Sequence, residues 1–399
     1  MENVRLSQNR LGESREYAVE HIFQSNTYEW PGDWEGRALL AFCCHYEIDK
    51  SELPCMHELM KRLPVHTNEK LYFGKEFDGK TADKQQMSGH NWYLRGLLKY
   101  ARDFNSSLAY EAAKSTAENL YLPMVDWYSH YPTVREQEGG VSGNRLREQN
   151  GWVLSTDVGC AFMCVDGMAY YYTETKDERI KAFLEKAIET FASIDYVKCN
   201  FQTHTTLTCA RGVLKFYQAT GEEKHLRLVE DIWENYVCYG MTMTYENFNW
   251  FGREDSWTEP CAVVDSLILS VELYKLTKEE KYRRYARRIW FNGLQFCQRE
   301  NGGAGPNSCV TAGQVDLYVK MYEVPFCCTM RYAEGLLTYQ ENKDLFAWNK
   351  DAETTVDELG RRFMDDRLVV HFNGKEMPIP AGYELGKEEI ENAVLRIIW

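Results

Sequence analysis

The sequence predicts a mainly α-helical chain, an (α/α)6 barrel of helical hairpins, followed by a short and incomplete β segment. Three observations support this fold class. First, an apolar helix, a short polar turn and a charged helix follow one another as a repeated pattern along the chain. Second, this pattern occurs six times. Third, the composition becomes typical of β-strands near the C-terminal end. We therefore expect a barrel at residues 1–348 and a β-rich segment at residues 349–399.

The hairpin pattern is clearest in the middle of the chain. Its strongest copies begin at Gly167, Gly212 and Ser270, and weaker copies begin at Arg37, Arg95 and Glu334. In the strong copies the turns align at Thr175, Thr220 and Thr277. A hairpin of this size cannot bury its apolar face alone, so repeated copies predict a solenoid or a closed toroid. Six very apolar first helices favour a toroid with those helices inside over an open array.

The last fifty residues have a different composition. The segments RLVVHF at 367–372 and VLRIIW at 394–399 are rich in β-branched residues, and the turn signals NGK and PAG lie between them. Such runs, bounded by turn residues, predict β-strands. Because the sequence stops on an apolar strand, we expect a β domain that is cut short.

Charge and composition exclude some classes of partner. The 399-residue chain has a formal net charge of −14, and its Lys and Arg residues form no block long enough to follow a phosphate backbone. We therefore expect no nucleic-acid partner. The absence of an apolar leader and of a long apolar run predicts a cytoplasmic protein without a membrane span. The 13 cysteines, an odd number, favour reduced thiols and a metal over a disulfide framework.

The N-terminal ends of the predicted first helices carry the side chains that are capable of metal binding or catalysis. They include His90, His204, Glu259, Cys261, Cys327 and Cys328, together with Trp34 and Glu35 in WPGDWEG. If these helices run the same way, their N-terminal ends share one rim of the toroid. The partial positive charge of a helix N-terminus favours thiolates and carboxylates there. We interpret Trp34 as an aromatic platform for a ligand and Glu35 as an acceptor for a ligand hydroxyl.

Two short motifs predict a metal site. Glu259-Pro-Cys261 and Cys327-Cys328 together offer one carboxylate and three thiols, a ligand set that zinc takes in tetrahedral geometry. The spacing differs from that of zinc fingers, so ordinary helix-start residues and a vicinal disulfide remain alternatives. A second pair, Cys43-Cys44, lies in the middle of an apolar helical run, and we interpret it as two small hydrophobic residues.

WTEPCAVVDS and CCTMRYAEGL resemble motifs of the β-L-arabinofuranosidase family of glycoside hydrolases, family 127 and relatives such as family 146. The resemblance covers roughly residues 30–345 and indicates a divergent branch. It implies an (α/α)6 barrel with a zinc ion held by Glu259, Cys261, Cys327 and Cys328. It also implies a retaining enzyme in which Cys327 is the nucleophile.

The resemblance extends to other site residues. TYENF places Glu246 at the position of the family's acid/base glutamate, with Tyr245 where the family has glycine. QTHTTL places His204 at a sugar-contacting histidine, and His90 is a looser match. From the residues alone, Glu254 and Asp255 compete with Glu246. The β region and the stretch between the two cysteine motifs are both shorter than in the family.

The predicted function is retaining hydrolysis of β-L-arabinofuranosides or of a related plant-glycan sugar, with a glycoside or oligosaccharide as substrate. One rival is a metal-independent sugar epimerase that uses His204 and His90 as acid and base. A second rival is a noncatalytic glycan-binding protein whose zinc is structural. Zinc content separates the epimerase from the other two, and a sugar trapped on Cys327 separates catalysis from binding. The sequence identifies neither the linkage nor the oligomeric state.

Overall fold

A computed structural model describes residues 2–23, 29–133, 143–311, 317–372, 374–380 and 394–398. The chain divides into two compact units. We call Gly12–Tyr239 with Trp250–Gly252 the hairpin unit, and Met1–Leu11, Gly240–Asn249 and Arg253–Trp399 the cysteine unit. The domain boundary expected at residue 348 stays a prediction. None of the described helices is long and apolar enough to cross a membrane.

The helices up to residue 239 form successive pairs. The chain begins with α1 (Glu2–Glu13) and α2 (Val19–Phe23). Four pairs follow: α3 (Asp33–Asp49) with α4 (Met56–His66), α5 (Lys84–Phe104) with α6 (Ser107–Thr116), α7 (Cys164–Thr175) with α8 (Glu178–Ala192), and α9 (Thr203–Thr220) with α10 (Glu223–Tyr239). The first helices of neighbouring pairs, α3, α5, α7 and α9, pack on one another in that order. These pairs are the predicted hairpins that begin at Arg37, Arg95, Gly167 and Gly212, and α11 (Pro260–Thr277) with α12 (Glu280–Arg288) is the one at Ser270. The copy at Glu334 differs from the prediction, because a four-residue 3-10 helix, Lys343–Phe346, follows its first helix instead of a second α-helix.

The first helices are buried over most of their surface, whereas the second helices are amphipathic. In α5 every residue from Lys84 to Tyr100 is buried. The first helices also approach closely at glycines: a Cβ added at Gly36 of α3 would lie 2.1 Å from the backbone nitrogen of Tyr93 on α5. In α8 the buried side chains recur at helical spacing, from Ile180 to Phe191, so this helix buries one face.

Three threonines end the helices at the predicted turns. Thr175, Thr220 and Thr277 are the last residues of α7, α9 and α11 (Pro260–Thr277). Each hydroxyl donates to the backbone oxygen four residues earlier, at 2.9–3.0 Å. The residue after each threonine has a left-handed backbone, with φ of 52° at Lys176, 73° at Gly221 and 62° at Lys278. This C-cap satisfies carbonyls that the helix end leaves unpaired and turns the chain.

A small sheet belongs to the hairpin unit. Its strands are β1 (Ala82–Asp83), β2 (Arg145–Gln149) and β3 (Trp152–Ser155), in the order β1-β3-β2. Strand β3 runs parallel to β1 and antiparallel to β2. The Asp83 side chain accepts hydrogen bonds from the backbone of Gln85 and Gln86, which caps α5 where the strand ends.

The cysteine unit combines helices with a six-stranded sheet. Its remaining helices are α12 (Glu280–Arg288), α13 (Gln295–Cys297) and α14 (Cys328–Glu341), and α11 packs on both α12 and α14. The strands are β4 (Leu317–Val319), β5 (Thr354–Val356), β6 (Arg362–Met364), β7 (Arg367–Phe372), β8 (Lys375–Pro378) and β9 (Val394–Ile397). Their order is β4-β9-β7-β6-β5, β8 pairs with β7, and every pair is antiparallel.

The β segment matches the sequence expectation in its main features. The first predicted strand is β7, with the predicted bounds, and the second is β9, which ends at Ile397. Residue 399 and most of the predicted PAG turn lie outside the described residues. Helical residues hold the sheet: Arg287 pairs with Asp366, and the Asn292 amide oxygen accepts from the backbone of Leu368.

One buried carboxyl in the hairpin unit has an unusual proton affinity. Glu35, in the first turn of α3, is 7% exposed. Burial raises the pKa of this carboxyl from 4.5 to about 8, and the nearby Asp33 charge adds to the effect. Glu35 is therefore mainly protonated at neutral pH.

The first prediction concerns stability against pH. Folded Glu35 holds its proton between pH 4.5 and about 8, where the unfolded chain loses it, so the unfolding free energy falls as pH rises through this window. The fall has a limiting slope of about 1.4 kcal/mol per pH unit. Glu35→Gln removes this component. Urea unfolding of both proteins across the window measures the difference.

The matched control is Glu189→Gln, at an exposed glutamate on α8. It should leave the pH dependence of the unfolding free energy as in the unmodified chain. Equal pH dependence in the unmodified chain and in Glu35→Gln would show that Glu35 is ionised in the folded state at neutral pH.

Candidate metal centre and catalytic site

Two helix starts bring three cysteine sulfurs together in the cysteine unit. Glu259 is the N-cap of α11, Pro260 is its first residue and Cys261 follows. Proline suits this first position, where its missing N–H leaves no hydrogen bond unmade. Cys327 is the N-cap of α14, and Cys328 is its first residue. Because α11 and α14 pack together, the two motifs meet.

The sulfur atoms form a tight group. The Cys261 and Cys328 Sγ atoms are 3.7 Å apart, and those of Cys327 and Cys328 are 3.4 Å apart. All three lie within 4.8 Å of one another. A carboxylate oxygen of Glu259 also lies within 4.8 Å of the Cys261 sulfur. The structure therefore brings together the three predicted thiol ligands and places the predicted carboxylate ligand beside one of them.

This donor set fits zinc. Sulfur ligands of a tetrahedral zinc ion, at a Zn–S distance of about 2.3 Å, lie about 3.8 Å apart, which is close to the separations seen here. Burial raises the pKa of the Cys328 thiol well above its usual value, and its neighbours Cys261 and Cys327 contribute. A cation would offset that effect. Both Sγ–Sγ distances are too long for a disulfide, whose sulfurs are bonded at about 2.05 Å.

The second cysteine pair, Cys43-Cys44, lies inside a helix, as the sequence predicts. Cys43 and Cys44 lie in the middle of α3, and both side chains are buried. Burial raises the pKa of the Cys43 thiol well above its usual value. These residues are small hydrophobic parts of a packed helix.

Tyr245 directly precedes Glu246 and stands where the resemblance leads us to expect glycine. It has a left-handed backbone, with φ of 64°, a conformation that glycine adopts without strain. Arginines hold the larger side chain in place: Arg288 donates to its hydroxyl at 2.7 Å, and the Arg361 guanidinium lies 4.8 Å from the ring centre. These contacts hold Tyr245 in a backbone conformation that a tyrosine seldom adopts.

Glu246 is fully buried and held by three donors. Its Oε1 atom accepts hydrogen bonds from the Thr258 hydroxyl at 3.2 Å, the Asn307 amide at 2.8 Å and the Cys297 thiol at 3.2 Å. The Thr242 hydroxyl accepts from its backbone N–H. A carboxyl with so many partners has a defined orientation, as a catalytic acid requires.

Hydrogen bonds join Glu246 to the metal-ligand motif. Thr258, which binds its carboxyl, directly precedes Glu259. Asn247, which directly follows Glu246, accepts a hydrogen bond from the Glu259 backbone N–H at 3.1 Å. The proposed acid and the proposed carboxylate ligand are therefore carried by two segments that bind each other.

Asn307 is a site residue that the sequence reasoning missed. Its amide donates to Glu246, its backbone N–H donates to the Thr258 hydroxyl at 2.7 Å, and its carbonyl accepts from the Thr258 N–H at 3.2 Å. Its side-chain oxygen accepts from Arg299. It lies in a loop, PNSC, that has no periodicity or motif to mark it.

Lys320 and Cys297 also lie around the Glu246 carboxyl. Burial lowers the pKa of Lys320 to about 7, the Arg299 cation adds to this, and Cys297 and Glu246 oppose it. Burial and the Glu246 charge raise the pKa of the Cys297 thiol well above its usual value, which keeps it protonated and able to donate. Both residues come from segments without a sequence signal for this role.

The carboxylates that competed with Glu246 lie in a different environment. Glu254 and Asp255 are exposed, and Asp255 forms an ion pair with Arg253.

Tyr322, a residue that the sequence did not point to, is near the cysteine motifs. Burial and the charges of Cys328, Cys327 and Glu259 raise the pKa of its phenol.

His204 belongs to a buried polar cluster in the hairpin unit. Its ring stacks on Trp92 at 5.5 Å between centres. Its Nδ1 lies 3.3 Å from the Thr208 hydroxyl, and its Nε2 lies 3.5 Å from the Arg37 guanidinium. Arg37 also pairs with Asp33. These contacts fix the ring, and the predicted sugar contact stays a prediction.

His90 has backbone partners at both ring nitrogens. Nδ1 donates to the Gln86 carbonyl at 2.9 Å, and Nε2 accepts from the Phe73 N–H at 3.0 Å. The ring is fully buried, and burial lowers its pKa to about 4. In this arrangement His90 anchors the segment around Phe73 to α5.

Trp34 and Glu35 lie in the first turn of α3, where their relative solvent exposures are 9% and 7%. Their predicted sugar contacts stay predictions.

Comparisons with protein families and with curated proteins find no match to this sequence. Solved structures with a similar fold exist. A GH127 β-arabinofuranosidase, BT3674, superposes with a TM-score of 0.58 at 11% identity, over 94% of this chain and 62% of that one. The GH127 β-L-arabinofuranosidase Ara127N of Geobacillus stearothermophilus T6 gives 0.50 at 12% identity, over 100% and 74%. This chain therefore spans less than two thirds of the first of these enzymes.

An enzyme of another activity has the same fold. The cellobiose 2-epimerase of Spirochaeta thermophila DSM 6192 superposes with a TM-score of 0.54 at 12% identity, over 79% of this chain and 86% of that one. At these identities the likeness shows the fold alone. It confirms the predicted fold class, a mainly α chain of the (α/α)6-barrel class with a short β segment. It also confirms, at the level of fold, the resemblance to the family 127 arabinofuranosidases.

Proposed function

We propose that the chain is a retaining glycoside hydrolase that uses a zinc-bound cysteine as its nucleophile. Its substrate is a β-L-arabinofuranoside or a related plant-glycan sugar. The observation that supports this proposal is the group of three sulfurs at the starts of α11 and α14, with the Glu259 carboxylate beside it. The motifs that supply these atoms are those that resemble the family.

Glu259, Cys261, Cys327 and Cys328 would hold the zinc ion. When bound, zinc keeps its thiol ligands deprotonated and orients them. The chain's own contribution is geometric. The N-terminal turns of α11 and α14 present the sulfurs, and the Asn247 side chain fixes the Glu259 backbone through the hydrogen bond at 3.1 Å.

Hydrolysis proceeds in two displacements at the anomeric carbon. In the first, the Cys327 sulfur forms a bond to this carbon, the glycosidic C–O bond breaks, and Glu246 gives its proton to the leaving oxygen. In the second, Glu246 takes a proton from water, the water oxygen bonds to the same carbon, and the C–S bond breaks. Two inversions give net retention of configuration.

The environment of Glu246 suits a proton carrier. Its donors, Thr258, Asn307 and Cys297, stabilise the carboxylate that remains after the first proton transfer. To transfer its proton, Glu246 must lie within hydrogen-bond reach of the leaving oxygen when substrate binds. We propose that His204, His90, Trp34 and Glu35 contact the sugar. Protonated Glu35 would donate a hydrogen bond to a hydroxyl, rather than only accept one.

The epimerase remains the second candidate, because a cellobiose 2-epimerase has the same fold. That reaction needs His204 and His90 as acid and base. Both His90 nitrogens have backbone partners, so His90 would have to leave them in order to carry a proton. A noncatalytic glycan-binding role would use the sulfur group as a structural zinc site. The three candidates differ in the outcomes of the following experiments.

The second prediction concerns the metal. The purified chain should contain about one zinc ion per molecule, the stoichiometry of one four-ligand site. Cys261→Ser and Cys328→Ser should each lower the zinc content, measured by elemental analysis, because each replaces a thiolate ligand. Cys43→Ser, at an equally buried cysteine outside the group, should leave it unchanged. Equal zinc loss in all three variants would contradict the assignment of ligands.

The third prediction tests the function directly. An epoxide-bearing or haloacetamide-bearing arabinofuranose should label Cys327, and peptide mass spectrometry should locate the label there. Cys327→Ala should lose hydrolysis while its circular dichroism keeps the helical signal, because Cys327 lies at the N-cap rather than inside α14. Labelling of a carboxylate instead would indicate a mechanism with two carboxylates. A zinc-containing protein that neither reacts with nor hydrolyses any glycoside would support the binding role.

The fourth prediction concerns the acid. A proton from Glu246 matters most for a poor leaving group. Glu246→Gln should therefore lose far more activity on an alkyl glycoside than on an aryl glycoside with an acidic phenol, as steady-state kinetics would show. With the aryl substrate the thioglycosyl enzyme should accumulate, and added azide should release a glycosyl azide of retained configuration.

The controls for this prediction are Glu254→Gln and Asp255→Asn, at the exposed carboxylates nearby. Neither should show the dependence on the leaving group or the rescue by azide. If one of them does, and Glu246→Gln behaves as the unmodified enzyme, the acid is the exposed residue and not Glu246.

A further inference from the structure

The hairpin unit contains a cavity of about 520 Å³ near the N-terminus of α5. Ligand-binding pockets in proteins commonly have volumes of about 300–1,000 Å³. The cavity is lined on one side by apolar side chains from several elements: Met87, Leu120, Met124 and Val153. The first three of these are buried, and Val153 of β3 is partly exposed. We call these four side chains the apolar floor of the cavity.

Charged side chains of both signs lie around the same cavity. Lys75, Glu76 and Asp78 come from the segment before β1, and Arg145 comes from β2. The Arg145 guanidinium is held by Asp83, whose Oδ2 atom accepts from its Nη2 at 2.8 Å. Because cations and anions are both present in the lining, the walls favour neither a strongly anionic nor a strongly cationic ligand.

The segment that carries these charges is fastened to α5. The Gln86 side-chain amide donates to the carbonyls of Phe73 at 2.9 Å and Lys75 at 2.8 Å. His90, one turn further along α5, accepts from the Phe73 N–H. The Asp78 side chain accepts from the Lys80 backbone at 2.9 Å, which closes a local turn. The wall is therefore formed before any ligand binds.

An aromatic ring completes the lining. Phe77 lies in the same segment, is partly exposed, and packs with its ring perpendicular to Trp127, with centres 5.5 Å apart. This contact fixes the ring while leaving part of its surface accessible. Such a ring offers an apolar surface to the C–H face of a ligand.

We propose that this cavity is a carbohydrate subsite that binds a neutral sugar ring. A sugar has an apolar C–H face for Phe77 and the floor. Its hydroxyls both donate and accept hydrogen bonds, so they can pair with Arg145 and Lys75 as well as with Glu76 and Asp78. The cavity contains none of the residues assigned above to the metal, the catalytic steps or sugar binding. The choice of an arabinose-containing ligand rests on the proposed function.

The subsite gives an extended ligand an additional contact. His90, a proposed sugar contact, donates to the carbonyl of Gln86, which lines the cavity. A disaccharide of L-arabinofuranose should therefore bind more tightly than methyl β-L-arabinofuranoside, because its second ring reaches the cavity. If the ring contact contributes as much as an aromatic pair, about 0.5–1.5 kcal/mol, the affinities should differ roughly two- to twelvefold. Titration calorimetry on the Cys327→Ala protein measures both affinities without turnover.

Two substitutions test the cavity in that background. Val153→Trp fills it from a partly exposed strand position that accepts aromatic residues, and Phe77→Ala removes the ring. Each should remove the advantage of the disaccharide and leave the affinity for the methyl glycoside unchanged. The matched control is Tyr110→Ala, at an aromatic residue that is 41% exposed on α6 and outside the cavity. It should change neither affinity.

The outcomes separate the subsite from the proposed function. Equal affinities for the two ligands, unaffected by either substitution, would overturn the subsite, whatever the result of the hydrolysis assay. A disaccharide that binds with the predicted sensitivity but is never hydrolysed by the unmodified chain would support the subsite and refute the function. Failure of both ligands to bind at millimolar concentration would overturn the subsite as proposed.

Discussion

The candidate site depends on two hydrogen bonds that join segments 242–249 and 258–261. The Thr258 hydroxyl donates to the Glu246 carboxyl at 3.2 Å, and the Glu259 N–H donates to the Asn247 side chain at 3.1 Å. Through them the proposed acid and the proposed carboxylate ligand take a fixed relation to the start of α11. Asn307 strengthens the connection because it bonds to both Glu246 and Thr258. These bonds therefore link the position of the proposed acid to that of the proposed carboxylate ligand.

The buried thiols add a second constraint. Three sulfurs lie within 4.8 Å of one another, and burial disfavours the thiolate form of Cys328, an effect that a bound cation would offset. Metal binding and the stability of the contact between α11 and α14 would therefore be coupled.

In the hairpin unit, hydrogen bonds to the backbone fix His90, and the Gln86 amide binds the segment that lines the cavity. Helix α5 thus orders that wall, whereas α11 and α14 order the sulfur group.

Much of the fold was predictable because its signals are local. The turns at Thr175, Thr220 and Thr277 follow from helical periodicity and C-cap chemistry, and the strand at 367–372 follows from its β-branched residues. The cysteine group was predictable because helix starts were expected to meet. The partners of Glu246 were not, since Cys297 and Asn307 come from distant segments whose pairing only the tertiary structure determines. The backbone partners of His90 were equally hidden, because a histidine near a helix start looks the same whether it binds a sugar or a peptide group.

The central claim is that Glu259, Cys261, Cys327 and Cys328 form one zinc site, and anomalous diffraction tests it most directly. Crystals of the protein measured on both sides of the zinc absorption edge should show a single strong peak in this group. The peak should lie about 2.3 Å from each of the three sulfurs and about 2.0–2.2 Å from a Glu259 carboxylate oxygen. A map without that peak, or one in which the Cys327 and Cys328 sulfurs are bonded at about 2.05 Å, would contradict the account.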